Sequence, residues 1–191
     1  LMIVRKRAGA VADADVEVIR RSIQKAEALT RQLTLASGRR QLNPVPLHVG
    51  RAVAELLDAQ KSTLGAPFTL SVTTAPDLPQ ANLDELELGI ALTNLITNAR
   101  DAMPAGGTIH VAVSGGQTAE GRPAVVLSVS DAGTGIRPDV KERIFEPFFT
   151  TKTAGKGSGL GLAQVYGFVT ASRGTIDVQS EEGRGTTMPF E

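Results

Sequence analysis

Residues 93–103 read TNLITNARDAM, and two patterns run through them at once. Leu92, Leu95, Ile96, Ala99, Ala102 and Met103 recur at helical spacing, which predicts a helix with one face in a hydrophobic core. Asn94, Asn98 and Asp101 recur one turn apart on another face. Short polar side chains compete for backbone hydrogen bonds and are mediocre helix formers. An ordinary solvated face more often carries Glu, Lys, Gln or Arg, so this stripe asks for a reason beyond solvation.

Outward from this helix, expected over Leu83 to Met103, the pattern is mixed. Upstream, residues 47–65 read as a helix and FTLSVTT, 68–74, as a strand, followed by the turn APDLPQA. Downstream, GTIHVAVSG and AVVLSVSD alternate apolar and polar residues and read as strands joined by a Gly-rich connection. RPDVKERIF reads as a short helix, 148–157 as a Thr-, Lys- and Gly-rich loop, 158–172 as a helix, and GTIDVQS with GTTMPFE as a closing strand pair. Helices and strands alternate irregularly and some connections are hairpins. The expected fold is therefore α+β, a mixed sheet covered on one face by helices in two layers.

The amino-terminal part differs. Val16, Ile19, Ile23, Ala26, Thr30 and Leu33 form a heptad-like seam along one long helix over 13–40, suited to a bundle. LNPVP breaks it, because each Pro pushes its predecessor out of helical geometry. This places the expected domain boundary between 44 and 45.

Composition narrows the class. The 20 Lys and Arg balance the 20 Asp and Glu, so no net field calls for nucleic acid or an acidic membrane. With no Trp and one Tyr, aromatic stacking on bases has little to work with. The absence of Cys removes disulfides and thiolate metal sites. No apolar run reaches membrane-spanning length, and a cytoplasmic location is expected for this segment.

Three glycine-bearing stretches follow the Asn helix. In DAGTGI, 131–136, a carboxylate at a strand end precedes two glycines; it can accept from an exocyclic amine while the backbone passes close to a flat ring. An ordinary strand-to-loop turn fits that hexapeptide as well. GKGSGLGL, 155–162, runs into a helix start, where free amides and the helix dipole favour phosphate. EEGRGTT, 181–187, is by itself a glycine hairpin.

Their order and spacing carry more than any one of them. NLITNARDAM, DAGTG, RIFEPFFTTK, GKGSGLGL and GRGTT resemble, in sequence, the N box, first G box, F box, second G box and third G box of the ATP-binding catalytic domain of bacterial sensor histidine kinases. That domain shares a superfamily with gyrase B, the mismatch-repair ATPases and the heat-shock chaperone ATPases. The resemblance runs from about Leu47 to the carboxyl end, and the helix before it is similar to the second helix of the dimerisation and phosphotransfer hairpin.

The resemblance implies the Bergerat ATP fold, with ATP and Mg2+ as ligands. Asn98 would coordinate the magnesium, which answers the question of the polar stripe. Asp131 would accept from the adenine amine, with Gly133 and Gly135 closing over the base and Thr186 at the adenine end. Gly157, Ser158, Gly159, Leu160 and Gly161 would line the triphosphate, with Lys152, Lys156 and Arg143 as its cations. Phe145, Phe148 and Phe149 would anchor the lid. Asp101 and Ala102 stand where many relatives have Lys and Tyr, which removes one phosphate cation and one stacking ring. Asn94 stands where the ATPase branches carry a Glu general base, and an amide cannot abstract a proton at neutral pH. Asn94, Asn98 and Arg143 are thus the candidate catalytic set, and kinase is favoured over hydrolase.

A histidine kinase needs an acceptor imidazole. The two histidines, His48 and His110, lack the adjacent acidic residue that the family places beside its acceptor. LMIVRKR resembles the first hairpin helix just beyond that acceptor, so the acceptor is expected upstream of Leu1 and the chain is expected to be a fragment. The implied partners are a response-regulator receiver domain and a second copy joined through the hairpin. The competing readings are a non-catalytic nucleotide-binding scaffold and an ATP-driven clamp of the gyrase or chaperone branch.

Overall fold

The computed structural model describes residues 42–118, 120–152 and 157–191, together with Ile19, Ser22, Ile23 and Ala26. The chain divides into two compact units, Leu1–Arg40 and Gln41–Glu191. Most of the helix expected over 13–40 lies outside the described residues. The four that are described are helical, and Ile19 and Ile23, one turn apart on the expected seam, are 47% and 53% exposed.

The second unit runs β1 (Val45–Leu47), α1 (Val49–Leu64), β2 (Phe68–Thr74), β3 (Ala81–Leu83), α2 (Glu85–Ala102), β4 (Gly107–Gln117), β5 (Pro123–Asp131), α3 (Pro138–Lys141), α4 (Gly161–Ala171), β6 (Gln179–Glu181) and β7 (Gly185–Phe190). Five strands form one sheet in the order β2-β4-β5-β7-β6. The pairing of β2 with β4 is parallel and the others are antiparallel, so the sheet is mixed as expected.

Side chains alternate across a strand, so one face of this sheet is defined by parity. Ile109, Val111, Val113, Leu127, Val129, Met188 and Phe190 are buried, while His110 and Ser114 between them are exposed. Register aligns these into rows across the sheet: Val72, Val111, Val129 and Met188 stand side by side. The helices cover this face alone, which gives the two layers.

Helix α2 is the centre of the covering layer. Its start is set by Asp84, whose carboxylate accepts from the amides of Leu86 and Glu87 at 3.1 and 3.2 Å. Glu85 and Glu87 in the first turn and Arg100 in the last complement the helix dipole. Leu88, Ala91, Leu92, Leu95, Ile96 and Ala99 are buried against the sheet and neighbouring helices. Leu92 is fully enclosed, so Leu92→Ala leaves a cavity and is expected to lower stability by about 2–5 kcal/mol. Urea unfolding checks this, with the midpoint falling and the slope unchanged.

Four boundaries differ from expectation. The segment 158–160 stays non-helical and α4 begins only at Gly161, because the glycine run makes a turn first. Helix α3 stops at Lys141, and single turns carry the chain on towards Phe149. Of GTIDVQS only a bridge at Ile176 to Phe190 and the start of β6 pair with β7. The fourth difference is a small antiparallel ribbon of β1 with β3, placed in segments that read as breaks and turns. It ties the chain before α1 to the start of α2, where the Asn43 amide also donates to Asp84 at 3.0 Å.

Candidate functional site

Parity places the first site residue. Leu127, Val129 and Asp131 lie on the same face of β5, so the run of apolar side chains facing the helices ends in a carboxylate. Asp131 is half-buried, and burial pushes its carboxyl above the usual range, partly offset by the backbone amides of Gly133 and Thr186. The Gly133 amide donates to it at 2.8 Å. Across the sheet its partner is Thr186, buried, whose hydroxyl lies 2.9 Å from that of Ser180.

The loop after Asp131 is clamped from two sides. Thr134 donates its amide to the Ala102 carbonyl at the end of α2, at 3.0 Å, and accepts at its own carbonyl from the Gly183 amide in the β6–β7 turn, at 2.8 Å. The Ile136 amide donates to the Ser180 hydroxyl at 2.8 Å. Gly135 has φ +67°, and a Cβ there would collide with the Glu181 carbonyl, so the loop closes on the hairpin only with glycine. An open groove of about 370 Å³ is lined in part by Asp131, Ser180, Gly185 and Thr186.

The polar stripe of α2 divides into two parts. Asn94 donates its amide to the Gln164 side chain at 3.0 Å, tying α2 to α4, and it lies against Gly161 where α4 begins. Asn98 and Asp101 meet a cation instead. The Lys152 ammonium donates to Asn98 Oδ1 at 3.2 Å and to Asp101 Oδ2 at 2.7 Å. Asp101 Oδ1 also accepts from Arg100 at 3.1 Å. Partial burial would raise the Asp101 carboxyl, but hydrogen bonds and charge from Lys152, and then from Arg100, hold it below its ordinary value.

The Phe-rich segment packs against the glycine run. The Phe148 amide donates to the Gly159 carbonyl at 2.8 Å, and Gly159, at φ +69°, leaves no room for a Cβ beside the Phe148 backbone. Phe145 and Phe149 pack on the core, and Phe145 stacks on Tyr166 of α4 at 5.3 Å between centroids. Phe148 departs from its expected part as an anchor. Its φ of +67° turns the side chain outward, where it is 51% exposed. Gly157 lies against Thr150 and Lys152. Ser158 is exposed and its hydroxyl accepts from the Leu160 amide at 3.3 Å. The Leu160 side chain is buried, so only its backbone is available to a ligand.

Arg143 is engaged within its own segment. Its guanidinium pairs with Glu146 at 3.1 Å and lies over the Phe149 ring at 4.5 Å. Lys156 lies outside the described residues. Among the described residues no group of three or more acidic or histidine side chains gathers to hold a metal, and no helix is long and apolar enough to cross a membrane.

Sequence reading missed Thr134, Ser180 and Gln164. Gln164 had a faint signal, as a lone amide in the apolar helix LGLAQVYGFV. Ser180 and Thr134 act through register and backbone, which leave no mark in composition.

Residues 83–191 match the family model described as histidine kinase-, DNA gyrase B-, and HSP90-like ATPase. Sensor kinase CckA of Brucella abortus (strain 2308) is 37% identical over 198 residues, covering 98% of this chain and 21% of CckA. Sensor histidine kinase ZraS of Escherichia coli (strain K12) is 35% identical over 174 residues, covering 91% of this chain and 35% of ZraS. The chain thus spans 21–35% of the length of these two relatives. Full-length ShkA, solved in complex with AMPPNP, superposes with a TM-score of 0.76 at 26% identity, over 96% of this chain and 39% of ShkA. With its ordered motifs on an α+β two-layer fold, the chain belongs to the histidine kinase-, DNA gyrase B- and HSP90-like ATPase family, as a sensor-histidine-kinase ATP-binding domain.

Proposed function

We propose that this chain is the kinase core of a sensor histidine kinase, binding Mg-ATP and passing its γ-phosphoryl group to a histidine for relay to a response-regulator aspartate. One observation carries this reading: a cation, the Lys152 ammonium, already rests on the Asn98 amide oxygen, one turn before Ala102, whose carbonyl accepts from the loop that follows Asp131. An amide and a carboxylate oxygen on adjacent turns suit a hard divalent ion that otherwise takes its oxygens from phosphates and water. When bound, such an ion neutralises charge on the phosphates.

The residues of the chain then divide the work. Asp131 accepts from the adenine amine, a role for which guanine, with a carbonyl at that edge, is unsuited. Gly133, Gly135 and Thr186 shape that end. Gly157, Ser158, Gly159 and Gly161 lead into α4, whose start carries no side-chain cap, leaving amides for phosphate. Phosphoryl transfer depends chiefly on positioning and charge neutralisation, so Lys152 and Arg143, once turned to the phosphates, supply most of what is needed. Asn94 holds α4 in place through Gln164 and offers no base to a water molecule. That favours transfer over hydrolysis.

Neither histidine of the chain stands at this site. His48 precedes α1 with its ring nitrogen 2.8 Å from Gln80, and His110 lies on the sheet face away from the helices. The reading places residues 1–44 in a dimerisation and phosphotransfer hairpin and residues 45–191 in the catalytic domain. The test is incubation of the chain with γ-labelled ATP and a purified hairpin from a relative. Acid-labile, base-stable label on the hairpin is the expected result. Release of inorganic phosphate without transfer would favour the ATPase clamp, and bound but unconverted ATP the scaffold.

A further inference from the structure

We propose that Ser180 is a positioning residue for base selection: it accepts the one proton of the Thr186 hydroxyl, so that Thr186 meets a bound base only as an acceptor, beside the carboxylate of Asp131. The inference rests on the nucleotide reading above and adds to it the residue that sets the polarity of the base-binding end.

Register builds the arrangement. Asp131 on β5 is the partner of Thr186 on β7, and Thr186 is in turn the partner of Ser180 on β6. Residues directly opposite in a ladder share a face, so these three side chains form one row across three strands. All three line the open groove. Thr186 is buried and Ser180 half-buried.

The direction of each hydrogen bond around Ser180 is fixed by chemistry. The Ile136 amide can only donate, and it does so to the Ser180 hydroxyl at 2.8 Å. The Gly185 carbonyl can only accept, so it takes the single Ser180 proton, at 3.0 Å. The remaining contact, 2.9 Å between the Ser180 and Thr186 hydroxyls, must then be donated by Thr186. The Ser180 oxygen thus accepts twice and donates once, which is its whole capacity. It has nothing left for a ligand and acts through Thr186. The Thr186 hydroxyl has spent its proton, and the backbone amides of Thr186 and Gly133 are both engaged with Asp131.

This row therefore offers a ligand lone pairs and no proton. An exocyclic amine, with two N–H donors, suits such a pair of acceptors, whereas a ring carbonyl in its place meets two oxygens. Without Ser180 the Thr186 hydroxyl is free to turn its proton towards the base. The loop itself stays clamped by the backbone bonds of Thr134 to Ala102 and Gly183, so the loss is felt as a change of polarity.

The experiment is calorimetry in chelator with ADP and with inosine diphosphate, whose base carries a carbonyl where adenine has its amine. Thermal melting confirms folding of each variant. The unmutated chain is expected to prefer ADP, and Ser180→Ala to narrow that preference about fivefold, the scale of one hydrogen bond. Ser180→Thr keeps the hydroxyl and is expected to hold the preference within about twofold, while in a Thr186→Val background Ser180→Ala should leave it unchanged, because the residue it acts through is gone. An equal fall in both affinities in Ser180→Ala, a narrowing that persists with Thr186→Val, or a preference lost in a folded Ser180→Thr variant would overturn the proposal. Failure of the unmutated chain to bind ADP at all would instead overturn the nucleotide reading.

Discussion

Asn98→Ala is expected to lower the affinity for Mg-ATP by at least about 10–100-fold, the scale on which the loss of even an outer-shell partner of a bound metal is felt, while metal-free ATP binds nearly as before. The asymmetry follows from the position of the side chain. Asn98 is half-buried on α2, and its amide oxygen faces the Lys152 ammonium. Alanine is a better helix former, so α2 itself is not weakened. The variant also removes one of the two bonds from α2 to Lys152 without touching the core. Calorimetry in magnesium and in chelator separates the two affinities. An equal loss in both would assign Asn98 to shaping the pocket instead.

Asp131→Asn is expected to move stability and binding in opposite directions. A charge-assisted hydrogen bond is worth about 1.5–3 kcal/mol, so ATP affinity falls roughly ten- to a hundredfold when an amide replaces the carboxylate. Stability rises, because the carboxylate in the folded chain is disfavoured by burial. The sign follows from the raised pKa. A group that holds its proton more tightly when folded contributes stability below its unfolded pKa and loses it as pH rises through the folded value. At neutral pH the charged Asp131 therefore costs stability that asparagine does not. The amide oxygen of asparagine still accepts from Gly133, so the loop geometry is kept. Thermal melts should show the variant above the unmutated chain at neutral pH, with the gap closing in acid. ATP binding by the unmutated chain should weaken on acidification at a higher pH than an ordinary carboxylate would give. A lower melting temperature with unchanged affinity would contradict both parts.

Much of the fold is legible in the sequence. Periodicity marked α2, β4 and β5 because each buries one face along many residues, and such patterns survive local noise. The mixed two-layer fold followed from their order. The ribbon of β1 with β3 was invisible because three-residue strands, one of them containing Pro46, are too short for a period to register. Segment 158–160 read as helix on its apolar run, but Gly159 in a left-handed conformation delays the helix until the chain has passed the Phe148 backbone.

The candidate site is legible in the sequence as a set of residues and much less as an arrangement. Asn98 and Asp131 stood out because their chemistry is costly where they sit. That Lys152 reaches back across the fold to Asp101, or that Asn94 is engaged with Gln164, depends on how α2, α4 and the Phe-rich segment meet. The side chain of Phe148 shows the same limit. Its composition reads as an anchor, and a single positive φ turns it to solvent.

The most direct test of the nucleotide site is a backbone-amide NMR titration of the chain with Mg-AMPPNP. Saturating shifts are predicted at 131–135 and 157–161, at the Asn98 side-chain amide and at Thr186, with His48 and His110 unmoved. Shifts that fail to saturate, or that fall on the outer sheet face around His110 and leave 131–135 untouched, would contradict it.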